Sequence, residues 1–275
     1  SGTLNWKVLI TENHEFRDQV RRTLGAKLPL LEREVHAFVG AVVEALRVRH
    51  GPGRPFVLIV DSLEHIRGTP DKVRAVHESV RELFLTHGKR LVFPDVHMVF
   101  SVPAAMALKA DNVTAEFVNG AVQAWAAFHV WHLDGGGDLV VDEMTMGRLI
   151  ALVEKRIDWR LLLRSEADLR ELILASGGYV RDLLNLLIEA LLQTGADGTR
   201  AEPSKVIASV RRNYLPLYSD EVALLRAVAR ERDVRPLNSS ERESLAGFLD
   251  SHLILCYLND DFWYDVHPLV KGELA

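Results

Sequence analysis

Four polar residues of the chain stand where nucleotide chemistry is possible: Asp61, Glu64, Ser101 and Arg181. Asp61 closes the apolar run Val57–Val60. In an open parallel sheet, ligands gather beyond the carboxyl ends of the strands. An Asp at that edge holds Mg²⁺ directly or through water, and the metal then bridges phosphate oxygens. Glu64 follows three residues later, close enough in sequence to stay near the same edge as a candidate acid or base. The same pattern also arises when an Asp simply caps the turn after a core strand. Ser101 ends a second apolar run, Val96–Val102, just before Pro103. If the two strands are neighbours, its hydroxyl faces the same crevice, where it would orient a water or touch a terminal phosphate; alternatively it bonds to its own turn. Arg181 follows Gly177-Gly178, in the first turn of an expected helix. The macrodipole disfavours a cation there. A phosphate outside the helix would explain it, because the guanidinium fork suits phosphate oxygens; so would a salt bridge to Asp182 or Asp168.

Other chemically capable groups are weaker candidates. His129, His132 and Asp134 (HVWHLD) offer metal-ligand atoms, but residues three apart on a strand point to opposite faces. Cys256 stands between Leu255 and Tyr257 with no evident base beside it, so a packed thiol is expected. His267 in YDVHPL reads as a structural hydrogen-bonding histidine rather than a catalyst.

The elements that must position these residues follow from apolar spacing. Residues 12–50 read as helix interrupted near Pro29, with a buried stripe through Leu31, Val35, Phe38, Val39, Val42, Val43 and Leu46. Phe56–Val60 reads as a strand buried on both faces. A helix capped by Thr69 comes next, then strands over Val96–Val102 and Ala126–Leu133. Strands alternating with helices imply a parallel sheet with right-handed crossovers. Beyond residue 142 helices take over, at Met144–Ile157, Glu166–Ala175, Tyr179–Gln193, Pro203–Asn213, Asp220–Arg230 and Glu241–Leu249, the last capped by Ser239 or Ser240. The helix over Tyr179–Gln193 is expected to bury Val180, Leu183, Leu184, Leu187 and Leu191. Leu253–Leu258 and Phe262–Val266, joined by Asn259-Asp260-Asp261, read as a hairpin.

The segments VLIVDSLEHIRG, THGKRLVFPDVHMVFSVP, LASGGYVRDLLNLLIEALL and FWYDVHPLV occur in this order. Together they resemble a bacterial group of AAA+/STAND-like P-loop ATPases, over nearly the whole chain beyond about residue 30. The resemblance implies an α/β fold: a partial parallel-sheet P-loop NTPase core over residues 1–140, a helical lid over 141–200 and a C-terminal winged-helix module over 201–275. It implies Asp61 as the Walker B aspartate and magnesium ligand, Ser101 as the sensor 1 position and Arg181 as the sensor 2 arginine, with ATP and Mg²⁺ as cofactors. It also implies a protein partner for the winged helix and allows a homo-oligomer, for which Lys155 and Arg156 are candidate arginine fingers by location.

Two departures from that pattern bear on activity. Ser62 stands where the second Walker B acid is expected, leaving Glu64 as the remaining acid. Nothing matches GxxxxGK[ST], whose backbone amides and Lys cradle phosphates. The first reading is therefore the C-terminal part of an ATP-binding, ATP-hydrolysing switch whose winged helix relays nucleotide state to a protein; the start SGTLNWK, without Met, favours it. The alternative is a nucleotide-free adaptor that keeps the fold without catalysis.

Bulk properties narrow the setting. A formal charge of −5 supplies no field toward nucleic acid or anionic lipid. Asp260 and Asp261 at the hairpin turn, and Glu241 and Glu243 around Arg242, disfavour a DNA-reading face. A single cysteine rules out an internal disulfide and fits a reducing, cytoplasmic compartment. No apolar run reaches the roughly 20 residues of a membrane span, and no signal peptide is visible.

Overall fold

The computed structural model describes residues 14–61, 79, 82–102, 125–134, 138–195, 197–234, 238–259 and 262–274. The fold is mixed α/β, mostly helical, with small two-stranded sheets. Described residues up to Val102 belong to one compact unit, and those from Trp125 onward to a second.

The first unit begins with α1 (His14–His50), which runs unbroken through Pro29. The expected interruption does not occur. A helical proline removes one hydrogen bond and crowds the preceding turn, at a cost of about 3 kcal/mol. It does not by itself end a helix flanked by good helix formers such as Leu28, Leu30, Leu31 and Glu32. Gly51, at φ 93°, stops the helix with its N–H on the Arg47 carbonyl at 2.8 Å. The face turned inward carries Val43, buried, with His36, Val39 and Leu46 half-buried. The His36 ring lies 4.6 Å from that of Phe93, tilted by 40°, and Arg47 pairs with Asp95 at 3.0 Å. Leu31, Val35, Phe38 and Val42, expected in the buried stripe, are exposed instead.

Strands β1 (Phe56–Val60) and β2 (Val96–Phe100) pair in parallel, with Phe56 opposite Val96 and Val60 opposite Phe100. Burial does not extend to both faces: it alternates along β2, while Val57, Leu58 and Ile59 of β1 are all exposed. Val57, Ile59 and Val99 are exposed on one side, Ile59 at 66%. On the other side Phe84, buried, meets Phe100 edge-on at 5.5 Å. A continuous apolar run fits a strand covered twice, but the described residues cover this one once. Of the helix expected after Thr69, residues 79 and 82–86 are described and helical; the rest of it, and the segment carrying Ser62 and Glu64, lie outside the described residues.

The second unit opens with β3 (Trp131–Leu133) and β4 (Leu139–Val141), an antiparallel pair. This corrects the expectation that Ala126–Leu133 is a third strand of the parallel sheet. Ala127 instead bridges Tyr257, near the other end of the chain. Asp142 caps α2 (Glu143–Glu154), its carboxylate accepting the Thr145 N–H at 2.7 Å. Ser165 caps α3 (Glu166–Ala175) in the same way. Then come α4 (Val180–Gln193) and α5 (Pro203–Arg211). Met146, Leu149, Leu172, Leu183, Leu186 and Val206 are among the buried residues of one core shared by α2 to α5.

A second core joins α6 (Ser219–Glu231) and α7 (Ser239–Asp250) to the hairpin of β5 (Ile254–Leu258) and β6 (Phe262–Val266), through Leu225, Leu245, Phe248, Ile254 and Val266. Asn238, not Ser239 or Ser240, caps α7, accepting the Glu241 N–H at 2.9 Å. The last helix, α8 (Pro268–Lys271), divides its apolar residues: Leu269 enters the first core and Val270 the second. No helix among the described residues is long and apolar enough to cross a membrane.

Candidate functional site

The parallel pairing of β1 with β2 brings Asp61 and Ser101 to neighbouring carboxyl ends. Val60 and Phe100 are register partners, and the Ser101 N–H continues the ladder onto the Val60 carbonyl at 3.1 Å. Asp61, exposed, and Ser101, half-buried, are therefore the first residues past adjacent strand ends. This is the sheet edge where ligands bind in open parallel folds. Glu64 and Ser62 lie outside the described residues.

Arg181 sits in the second unit, behind a turn whose geometry leaves little freedom. Gly177 and Gly178 both take positive φ, 62° and 77°. Buried Ser176 donates from Oγ to the Ile173 carbonyl at 2.6 Å and accepts the Gly178 N–H at 3.2 Å. The Tyr257 hydroxyl donates to the Gly177 carbonyl at 2.8 Å, and the Phe128 N–H to the Gly178 carbonyl at 3.2 Å. The Gly-Gly turn is thus held between β5 and the segment before β3. Arg181 emerges one turn later, exposed, its guanidinium 5.9 Å from the Tyr179 ring centre. Tyr179 in turn meets His252 edge-on at 4.3 Å. Burial holds the His252 imidazole below its usual range, and the Arg181 charge adds to that while a bond to the Leu249 carbonyl opposes it.

Neither expected salt-bridge partner of Arg181 is engaged with it. Asp182 turns into the interior, and Asp168 accepts from the Arg164 N–H at 2.9 Å and from Ser165 Oγ at 3.0 Å. Among the described residues no carboxylate lies within ion-pair distance of Arg181. Replacing it with Ala should change unfolding free energy in urea by less than about 1 kcal/mol, as for an exposed side chain whose guanidinium lies over the Tyr179 ring. A loss above about 1.5 kcal/mol would mean that Arg181 holds the fold together.

The best-defined polar group around α4 is one that spacing did not single out. Asp182 is almost fully buried and receives the Tyr214 hydroxyl on Oδ2 and the Asn185 amide on Oδ1 at 3.2 Å. His267, fully buried, places Nε2 3.0 Å from Asp182 Oδ2, off the ideal hydrogen-bond line. Its Nδ1 accepts the Leu269 N–H at 3.1 Å and so carries no proton. The ring is therefore the neutral tautomer with its hydrogen on Nε2, facing the carboxylate. The Tyr214 ring stacks on His267 at 5.1 Å. Burial raises the Asp182 carboxyl, but the bonds from His267 and Tyr214 outweigh it, and the net shift is downward. Burial and the adjacent carboxylate push the Tyr214 phenol far up. One signal was available: Asp182, Leu183, Leu186, Leu187 and Ala190 form the buried stripe of α4. The expected stripe, which included Val180, Leu184 and Leu191, was rotated from this one.

The remaining candidates have structural occupations. His129 Nε2 lies 3.4 Å from the Asp142 cap carboxylate, while His132 pairs across the hairpin with Val140. Among the described residues no group of three or more His, Cys, Asp or Glu is placed to hold a metal. Cys256 is half-buried opposite Tyr264, and burial pushes its thiol up. Of the basic residues near the C-terminal core, Arg211 pairs with Glu273 at 3.2 Å, Arg230 with Glu231 at 2.9 Å, and Arg226 donates to the Leu274 carbonyl at 2.6 Å. Asp260, Asp261 and Arg235 lie outside the described residues. Compared with protein-family models, with curated proteins and with solved structures, the chain gives no match.

Proposed function

We propose that this chain is the Walker B, sensor, lid and winged-helix portion of an AAA+/STAND-type nucleotide switch that acts on a protein partner. The observation that carries the reading is the parallel pairing of β1 with β2, which sets Asp61 and Ser101 side by side at one sheet edge. Three further features support it. The Gly-Gly turn leads into a helix that presents Arg181 without a carboxylate partner among the described residues. Helices α5, α6 and α7 followed by the β5–β6 hairpin have the order expected of a winged helix. Arg211, Arg226 and Arg230 near that module bond within the chain, which favours a protein over nucleic acid as its partner.

The side chains at the sheet edge suit one arm of a nucleotide site. Asp61 and Ser101 offer a carboxylate and a hydroxyl, the types that contact Mg²⁺ and a water or phosphate oxygen. The phosphate arm does not fit: the sequence has no GxxxxGK[ST] loop. No turnover step is therefore assigned to these residues alone, and the alternative reading, a nucleotide-free adaptor, rests on the same absence together with Ser62 in place of an acid.

A nucleotide titration separates the two. The 275-residue chain should show no MgATP-induced rise in melting temperature and negligible ATP hydrolysis. The encoding reading frame should carry a strand and GxxxxGK[ST] upstream, and the chain extended through that loop should bind MgATP. Asp61→Ala in the extended chain should abolish Mg²⁺-dependent turnover while leaving the melting temperature without nucleotide unchanged. A reading frame without that loop sinks the switch and leaves the adaptor.

A further inference from the structure

Helix α1 carries a second apolar stripe that the described residues of its own unit leave exposed. Leu28, Leu31, Val35, Phe38 and Val42 repeat at alternating spacings of three and four residues, and each is between 40% and 69% exposed. The buried and half-buried side of the helix, His36, Val39, Val43 and Leu46, lies beside this stripe rather than on it. Alternation of three and four is the a/d pattern of a coiled-coil seam, in which each apolar residue fits a hole formed by four residues of a facing helix. It therefore calls for another helix as the occupant.

We propose that a second copy of this chain covers the stripe, through a parallel, in-register pairing of α1 with α1. Three features of the seam select that occupant. Leu28, Val35 and Val42 take the a positions and Leu31 and Phe38 the d positions. Valine at two of three a positions, with leucine at a d position, suits two parallel strands rather than three or four. Lys27 then falls at a g position and Glu32 at the following e position, so Lys27 of each copy faces Glu32 of the other. Glu32 and Glu34 beside the stripe give it an acidic flank, which disfavours a lipid surface as the occupant. The pairing needs no nucleotide and stands apart from the function proposed above.

Sedimentation velocity of the whole chain across the micromolar range tests it. A concentration-dependent dimer is expected. Phe38→Glu should raise its dissociation constant at least about tenfold, with the far-ultraviolet circular dichroism of the monomer unchanged, since two like charges would then meet at a d position. Lys27→Glu should weaken the dimer, and adding Glu32→Lys to it should restore the original affinity. A chain that stays monomeric throughout overturns the proposal and leaves the stripe to a different protein. A dimer indifferent to Phe38→Glu overturns it as well, since the interface would lie elsewhere. A dimer that Phe38→Glu weakens but the charge exchange does not restore overturns the parallel register.

Discussion

Gly178→Ala should cost about 3–5 kcal/mol of stability, placing it among the largest single-substitution losses expected for this chain. Two independent effects add. The residue sits at φ 77°, a region that costs an L-residue with a β-carbon roughly 1–2 kcal/mol. The new methyl group would also stand 1.8 Å from the Phe128 carbonyl oxygen and 2.8 Å from its carbonyl carbon. Those are backbone atoms, so no rotamer change relieves the overlap. Nor does the segment retreat freely. The Phe128 N–H is bonded to the Gly178 carbonyl, and the neighbouring Ala127 N–H to the Cys256 carbonyl at 2.8 Å. Relief therefore means breaking the join between the turn, the strand β5 and the segment leading into β3. Urea unfolding measures the loss. Gly147→Ala is the matched control: it lies inside α2 with nothing within 4 Å of the added β-carbon, and it should leave stability unchanged or raise it by up to about 1 kcal/mol. A Gly178→Ala loss below about 1 kcal/mol would show that the turn and Phe128 are not in contact.

Asp182→Ala should be comparably damaging, by about 3–5 kcal/mol. The carboxylate is the acceptor for the Tyr214 hydroxyl and faces the Nε2–H of His267; the imidazole is fully buried and the phenol half-buried. Removing it leaves two donors without a partner, at about 1–3 kcal/mol each, besides a small cavity. The pH dependence has a definite sign. The folded-state pKa of Asp182 is lowered relative to the unfolded chain. The stability it contributes is therefore complete above the unfolded carboxyl value, about 3.9. It is lost as pH falls through the lower folded-state value. Urea midpoints followed from neutral pH into the acid range should decline for the native chain over that interval. Asp182→Asn should be less stable at neutral pH, because its amide offers one acceptor oxygen instead of two, and should lose part of the acid-range slope. Equal slopes in the two proteins would mean that Asp182 is not ionised in the folded state.

Much of the helical part was legible because its signals are local. The Ser165 cap and the Gly177-Gly178 stop bracket the ten residues of α3, and helix dihedrals follow from such neighbours. The hairpin was legible for the same reason: two apolar runs around a short polar turn need no distant partner to be recognised. Adjacency of β1 and β2 was an inference from alternation, and Asp61 and Ser101 came together because strand ends in a parallel pair share an edge. The parts that escaped depend on which surface meets which. The run around Trp131 has strand composition, but nothing in it says whether its partner is β1 or the three residues of β4. The apolar side of α1 was correctly seen as apolar, yet its periodicity could not distinguish a stripe facing its own unit from the one beside it. The contact of Asp182 with Tyr214 and His267 joins residues from three well-separated stretches of chain, and no local pattern encodes it.

The division of α8 between two cores has a consequence for synthesis. Leu269 completes the core of α2 to α5, while His267, two residues earlier, faces the carboxylate at the head of α4. A ribosome delivers these two residues after every helix they serve. Until then α2 to α5 lack the leucine that closes their core and the imidazole that faces the Asp182 carboxylate. The described residues of the N-terminal unit, its sheet and long helix, are all translated before residue 103. The core of α2 to α5 is thus closed late in synthesis, when α8 arrives.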